Sequence, residues 1–445
     1  MGTFAQDTAG PPHSASVLRG SAVRYLPGEL LASLHRKRGP VVRVGAGRSG
    51  FTYLLGPEAN RFVFANSDLF RWRDAFDWLV PVDGPTSMLL SDGDEHRRRR
   101  GLVQPTMHHR RVAGYLDTMV DNTDQVIDTW RPGDTVDVYQ GFRAAIRRTT
   151  LRTLFGARLA RDERFFGDQL QVLLDLCDAL PQTVTWKRRL ATPQWRRAMV
   201  ARGRIDERIH TEIAHIRDVG GDDSDVLTSL VHSRDEDGAT LSDLEIRDQI
   251  VTLIVAGYET TSATLAWAIY SLLSVPGVRE RARQEVRRVL GSRRPAPEDL
   301  KDLTYLNGIV RETLRLYPAV VVVGRKAARD FEFGGRVVRA GSMLAISPYV
   351  THRLAELWHD PLRFRPERWD PGYRKPAPHE YLPFGAGPHR CVGSTMAATE
   401  LTVMLARLLA RTSLRLPRQR VRPVSMISMR PRNGLWVQVE DRTAD

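Results

Sequence analysis

Between about residues 95 and 315, apolar positions recur at helical spacing, broken by short Gly, Pro and Asp signals such as RPGD at 131–134 and GGDDSD at 220–225. The pattern predicts a mostly helical stretch. Its longest element opens on a capping box, Ser242 with Glu245, and continues as an Ala-rich apolar run to Ser274, where Val275, Pro276 and Gly277 stop it. At 1.5 Å per residue such a helix is about 50 Å long, so it has to cross the core. A second helix, DLTYLNGIVRETLRLYP, is expected to stop at Pro318. Strand-like runs follow at 320–323 and 331–346, and VVRVGAGRSGFTYLL near the start is β-rich as well. A Pro-rich irregular stretch from 360 to 383 leads towards Cys391, where the last long helix begins, and strand-like residues finish the chain. These elements predict a mainly α chain with a small β region.

The β-rich run near the start contains a G-x-G-x-x-G spacing at Gly45, Gly47 and Gly50. A dinucleotide fingerprint needs a helix to open after the last glycine. Residues 51–55 instead continue as strand, so the spacing predicts a hairpin turn. At 445 residues, with 42% hydrophobic and 27% charged positions, the chain can bury a large core, as one large domain or two ordinary ones. Two cysteines, Cys177 and Cys391, make no disulfide framework and fit a reducing, cytoplasmic compartment. No apolar run reaches about 18 residues, and the start, MGTFAQDTAGPPHSAS, has neither a charged leader nor an apolar core. No secretory signal or membrane anchor is expected. Residues 1–20 are expected to be a flexible lead. The net charge of +14 invites a nucleic-acid reading, but the arginines are scattered through periodic helices with no nucleic-acid motif. A basic surface that docks an acidic protein accounts for the charge as well.

Of the two cysteines, Cys177 lies in the apolar helical run LLDLCDAL and reads as a small buried hydrophobe. Cys391 sits in FGAGPHRCVG, where Gly385 and Gly387 suit a tight turn and Gly393 lets a neighbouring body approach the backbone. Its position at a loop-to-helix junction favours a thiolate. A nucleophile would need an oriented base, and although His389 is near, no orienting acid or oxyanion motif accompanies it. Zinc would need more ligands, and the His108, His109 pair has no matching half. Ligation of a haem needs one thiolate only. The long helix carries AGYETTS at 256–262, an acid and alcohols in an otherwise apolar core element. Gly257 would leave room for a diatomic ligand, Thr260 can bond back to the Ala256 carbonyl, and Glu259 with Thr260 could relay protons. The alternative is a kinked helix with a satisfied glutamate.

Together these residues resemble the cytochrome P-450 superfamily of haem-thiolate monooxygenases. Phe384, Gly387, Cys391 and Gly393 match the family's F-x-x-G-x-(R/H)-x-C-x-G pattern, with His389 at the Arg/His position. AGYETT matches the oxygen-activation motif of the family's central helix. Glu312 and Arg315 match its E-x-x-R pair and Arg368 the third member, although by spacing alone they read as a surface ion pair. His96 and Arg100 match an H-x-x-x-R that contacts a haem propionate, and Arg325 matches another propionate-binding arginine.

The resemblance implies one domain over 21–445, β-rich at about 40–65 and 319–350 and α-rich at about 95–315 and 391–411, with the long helix lying over the haem. It implies haem b (iron protoporphyrin IX) with Cys391 as axial ligand, and His96, Arg100, Ala256, Gly257, Arg325, Phe384, Gly385, His389 and Gly393 around it. Glu259 and Thr260 would be catalytic, and Glu312, Arg315 and Arg368 structural. No flavin or ferredoxin module is attached, so electrons are expected from a ferredoxin or flavodoxin with its NAD(P)H reductase. O2 and a small hydrophobic substrate, such as a lipid, terpenoid or polyketide of secondary metabolism, complete the partners. The pocket is expected to be lined from 70–90 (Trp72, Phe76, Trp78 and Leu79 among them), 170–195, the central helix, 320–323, and a turn near Met426 and Ile427. Arg97, Arg98 and Arg99 form either a solvated basic face or a docking surface for an acidic redox protein. Rival readings are a peroxide-driven peroxygenase or isomerase of the same haem type, and a non-catalytic haem-binding or electron-transfer protein.

Overall fold

The structure, a computed structural model, describes residues 27–45, 50–221, 225–235, 238–425 and 427–442. The expected lead at 1–20, Gly47 and Met426 lie outside the described residues. Five helices position the site: α1 (Gly93–Val103), α2 (Val138–Arg161), α3 (Asp243–Ser274), α4 (Thr304–Leu316) and α5 (Ser394–Arg411).

Helix α3 begins and ends where its local signals put it. Ser242 Oγ accepts the Glu245 N–H at 3.3 Å, Glu245 Oε2 accepts the Ser242 N–H at 3.0 Å, and Val275 leaves helical geometry. Most of its side chains are buried, because α2, α4, α5 and the helix Pro193–Val219 all pack on it. Trp267 shows how tightly α3 is held. It is fully buried, stacks on Tyr317 at 4.5 Å between ring centroids, and donates its indole N–H to Met429 O at 2.9 Å. Helix α2 is capped by Asp137, whose carboxylate accepts the Tyr139 N–H at 3.0 Å, and it kinks at Gly156, where φ is +78°.

Beside the helices stands a sheet of β1 (Val41–Val44), β2 (Phe51–Leu54), β3 (Phe70–Arg71), β4 (Val323–Ala327) and β5 (Met343–Ile346), in the order β1-β2-β5-β4-β3. Strands β1 and β2 pair antiparallel with Val44 opposite Phe51, the pairing a hairpin requires, and residues 46–49 between them lie outside the described residues. Phe51 lies beside Met343 in a parallel pairing. Phe62, Phe331 and Phe70 of β3 pack edge-on and tilted against one another in a hydrophobic cluster that also takes in Val41, Leu54, Leu344 and Ile346 of the sheet. The fold is thus mainly α with small sheets. Among the described residues, no single helix is long and apolar enough to cross a membrane.

Candidate active site

The loop before α5 is closed by its own backbone. Gly385 N–H donates to Leu382 O at 3.3 Å, Arg390 N–H to Gly387 O at 3.1 Å, and Cys391 N–H to Phe384 O at 2.9 Å. Gly385 and Gly387 have φ of +67° and +68°, the left-handed region that side-chained residues avoid. Gly393 is different. Its φ is −84°, and a Cβ built there meets no protein atom within 4 Å. Neither backbone conformation nor protein packing requires a glycine at that position. Its missing side chain leaves open space beside Cys391, room that a bound ring could fill.

Helix α5 starts at Ser394, so Cys391 precedes the first turn instead of capping it. Burial pushes its thiol up, and a hydrogen bond with the Gly393 backbone and the charges of Arg100 and Arg390 offset only part of that rise. Burial thus opposes the thiolate that the position before α5 favours. The surroundings favour the thiol until a Lewis acid displaces its proton. Cys391 is nonetheless an exposed residue. Helix α3 has a matching open face, with Ala256 exposed and Gly257 and Thr260 half-buried between buried neighbours. At Gly257, however, a Cβ would lie 3.2 Å from Thr150 Cγ2 of α2, so this glycine serves close helix packing as well.

Aromatic and cationic side chains gather beside the cysteine loop. Trp72 stacks on His389 (4.2 Å, 6°), His389 lies against His96 (3.9 Å), and the Arg325 guanidinium sits 3.8 Å over the Trp72 ring. Asp92 fixes the cluster by accepting the Trp72 and Arg73 N–H groups at 2.9 and 3.0 Å. Burial would push its carboxyl up, but His389 and these two amides outweigh that and hold it below the usual range. Burial also lowers His96 to about 4, helped by His389 and Arg100, so its ring is neutral. Arg325 is buried, with its pKa lowered to about 9 by that burial, and it donates to Gly324 O at 2.7 Å. Among the described residues, neither Arg325 nor Arg100 has a carboxylate within 4 Å, and Arg100 instead donates to Arg390 O at 2.7 Å and Gln104 Oε1 at 3.1 Å. The Trp72 indole N–H is buried and unpartnered. Two guanidiniums without a carboxylate partner and an indole N–H without an acceptor, next to an open thiol, fit a ring that carries carboxylates.

Glu259 and Thr260, adjacent in sequence, face different surroundings. Thr260 Oγ1 donates to Ala256 O at 2.8 Å on the open face. Glu259 is buried on another side. Its Oε2 accepts both Nε and Nη2 of Arg143 at 3.0 and 2.7 Å, while Oε1 accepts Tyr139 Oη at 3.1 Å and Ser428 Oγ at 3.3 Å. A polar cavity of about 340 Å³, lined by Gln171, Asp175, Arg143 and Arg430, reaches Glu259.

The E-x-x-R residues are not the surface pair that spacing alone suggests. Glu312 and Arg315 are fully buried and joined by two hydrogen bonds of 2.9 and 2.7 Å. Arg368 Nε, Arg365 N–H and Trp369 Nε1 also donate to Glu312, at 3.1, 2.9 and 3.2 Å. Burial would raise the Glu312 carboxyl, yet Arg315, Arg368 and the Arg365 amide hold it below its ordinary value. Arg315 reaches on to His352 O and Pro361 O, both at 2.7 Å. His352 contacts Arg315 O through Nδ1 and accepts the Leu382 N–H on Nε2 at 2.8 Å, which tethers the start of the cysteine loop to the buried pair.

Arg98 and Arg99 form neither a solvated face nor a free docking surface. Arg98 pairs with Asp235 and Glu245 at 2.6 and 2.9 Å, and Arg99 with Glu95 and Glu245 at 2.7 and 3.4 Å, tying α1 to the start of α3. Arg97 remains exposed and pairs with Asp94. Cys177 is buried and donates to Trp78 O at 3.7 Å, as a core thiol should. Sequence reasoning missed Asp92, Arg143, Tyr139 and His352. Only Asp92, polar between two apolar runs and four residues before His96, left a local trace.

The sequence profile described as cytochrome P-450 matches residues 12–437. A Mycobacterium tuberculosis protein described as cytochrome P-450 139, with no reaction in its name, is 55% identical over 94% of this chain and 98% of its own length. Cyclooctat-9-en-7-ol 5-monooxygenase of Streptomyces melanosporofaciens is 36% identical, covering 87% of this chain and 85% of that protein. The solved structure described as "Retinoic acid bound cyanobacterial CYP120A1" superposes with a TM-score of 0.83 at 25% identity, over 94% and 95% of the two chains. The chain belongs to the cytochrome P-450 family and is an oxidoreductase that acts with incorporation of molecular oxygen, a function the family couples to a haem-thiolate cofactor, redox partners and a substrate.

Proposed function

We propose that this chain is a haem b monooxygenase that inserts one oxygen atom of O2 into a hydrophobic small molecule of terpenoid type, using electrons from a separate ferredoxin or flavodoxin and its NAD(P)H reductase. The observation that carries this reading is the open Cys391 thiol beside two guanidiniums that have no carboxylate partner and an indole N–H that has no acceptor. Cys391 would be the axial ligand. Arg100, Arg325, His96, His389 and Trp72 would hold the propionates, and Gly393 with Ala256 would border the ring. When bound, the thiolate-ligated haem supplies reductive activation of O2.

The chain's own residues would manage protons and water. Thr260 Oγ is the alcohol on the open face of α3; it can release Ala256 O and turn its proton towards the cleft. Glu259 stands next to it, its Oε2 held by Arg143 at the edge of the polar cavity, and would relay protons between that cavity and Thr260. The apolar flank of α3 limits water around the substrate. Terpenoid chemistry is supported by the name of the Streptomyces relative and by the retinoic acid bound in the cyanobacterial structure.

Two measurements test the reading. The reduced carbon monoxide complex should show the red-shifted Soret band of thiolate ligation, and Cys391→Ala should abolish it; a band that survives the substitution rejects the ligand. With redox partners and NAD(P)H, Thr260→Ala should consume O2 while forming at least about tenfold less product. Product formed with peroxide but none with O2, NAD(P)H and redox partners would reject the reductive route.

A further inference from the structure

One segment of the chain gathers basic residues with no acidic residue between them. Between Asp178 and Asp206 there is no acidic residue, while Lys187, Arg188, Arg189, Arg196, Arg197 and Arg204 accumulate. Among the described residues, none of these six has a carboxylate within 4 Å. The arginines of this group are exposed. Large apolar side chains stand among them, with Trp186 59% exposed, Leu190 57% and Leu180 46%. Trp186 and Leu190 are one turn apart and so share a side of the chain. Val184, two residues before Trp186 on the opposite face of the helix Pro181–Arg189, is buried and fixes which side points out. That helix packs on the turn Asp77–Leu79 and on the helices Glu163–Cys177 and Pro193–Val219, so its orientation is set by the core.

We propose that the helix Pro181–Arg189 and the turn after it form a peripheral docking surface for an anionic lipid bilayer. Exposed Trp and Leu encircled by Lys and Arg suit the boundary between headgroups and acyl chains, where the ring and isobutyl group leave water and the cations meet phosphates. A nucleic acid offers no site for Leu180 and Leu190. An acidic protein could use the cations, and the test separates it. The surface lies against the segment around Trp78, so docking would turn that side of the protein towards a lipid phase in which hydrophobic molecules dissolve. The proposal does not depend on the oxygenase reading, because it concerns adsorption and not turnover.

The experiment is flotation of the full-length haem-loaded protein with vesicles of phosphatidylcholine alone or mixed with phosphatidylglycerol, at low and high salt. The expected result is binding to the phosphatidylglycerol vesicles only, weakened by salt, with a blue shift of tryptophan emission that is absent in Trp186→Phe. Lys187→Glu, Arg188→Glu and Arg189→Glu together should weaken binding by about a hundredfold, and Trp186→Ser with Leu190→Ser by about tenfold or more. Arg418→Glu, Arg420→Glu and Arg422→Glu change the charge equally on another exposed segment and should leave binding within about twofold. Absence of binding overturns the proposal. So does equal loss in the two triple variants, which would mean attraction by net charge alone, or loss of ferredoxin binding in the first triple variant without any vesicle binding. The carbon monoxide spectrum of each variant reports that it is folded and loaded.

Discussion

Glu312 and Arg315, three residues apart on α4, bury both charges completely and share two hydrogen bonds. Removing one partner strands the other in a low-dielectric interior. Arg315→Ala should cost about 3–5 kcal/mol and yield little protein able to bind haem, as read by denaturant unfolding and by the carbon monoxide spectrum. Arg368→Ala removes one of several donors to Glu312 and should cost about 1–3 kcal/mol.

Arg143 and Glu259 form a second buried pair, between α2 and α3. Arg143→Met should destabilise by about 3 kcal/mol, and adding Glu259→Gln should recover part of that, since the stranded charge is then gone. A double-mutant cycle by urea unfolding measures the recovery. Strict additivity would mean that the two side chains do not interact.

His352 gives an acid signature. Burial first, then the charges of Arg315 and Arg353, lower its pKa from 6.5 to about 3. The unfolded chain binds this proton below pH 6.5 while the folded chain refuses it down to about 3, so stability falls as pH drops through that window. The contribution is about 1.4 kcal/mol per pH unit. His352→Asn should have a shallower acid slope than the parent, whatever its stability at neutral pH.

Glu400 on α5 works in the opposite direction. Burial raises its pKa from 4.5 to about 8, slightly offset by Thr149, and its Oε1 has no partner. The folded chain keeps a proton that the unfolded chain releases, so stability declines as pH rises from 4.5 towards 8, again by about 1.4 kcal/mol per unit. Glu400→Gln should remove that decline and stabilise the protein at pH 7 by about 2–3 kcal/mol, measured by denaturant midpoint at several pH values.

Arg325 offers its cation to a group the protein does not provide. Arg325→Leu should leave the fold intact and speed haem transfer to apomyoglobin by about tenfold or more, with partial rescue in Arg325→Lys. An unchanged transfer rate would remove Arg325 from the cofactor site.

What the sequence disclosed was mostly local. The Ser242 and Glu245 cap, the end of α3 at Ser274 and the hairpin of β1 and β2 all depend on neighbours within a few positions, and all were legible. The glycine loop around Cys391 was recognisable by its spacing. What stayed hidden lies with partners distant along the chain. Spacing put Arg98 and Arg99 in a basic run, but Asp235 and Glu245 decide what they do. It put Glu259 beside Thr260, but Arg143 on another helix decides where the carboxylate points. The parallel pairing of Phe51 with Met343 had no local signal at all. At Cys391 a helix start suggests a thiolate, and only the packed surroundings reveal that burial works against it.

The tether from Arg315 through His352 to Leu382 also bears on the order of assembly. Its links span 37 and 30 positions, and the one from Glu312 to Arg368 spans 56. Each is a loop that must close before the next contact is rewarded. A nascent chain that has only formed its helices has no shaped loop around Cys391, even though every residue of that loop has been made. Acquisition of haem colour should therefore lag behind helix formation in a refolding experiment, and would report the last step of folding and not the first.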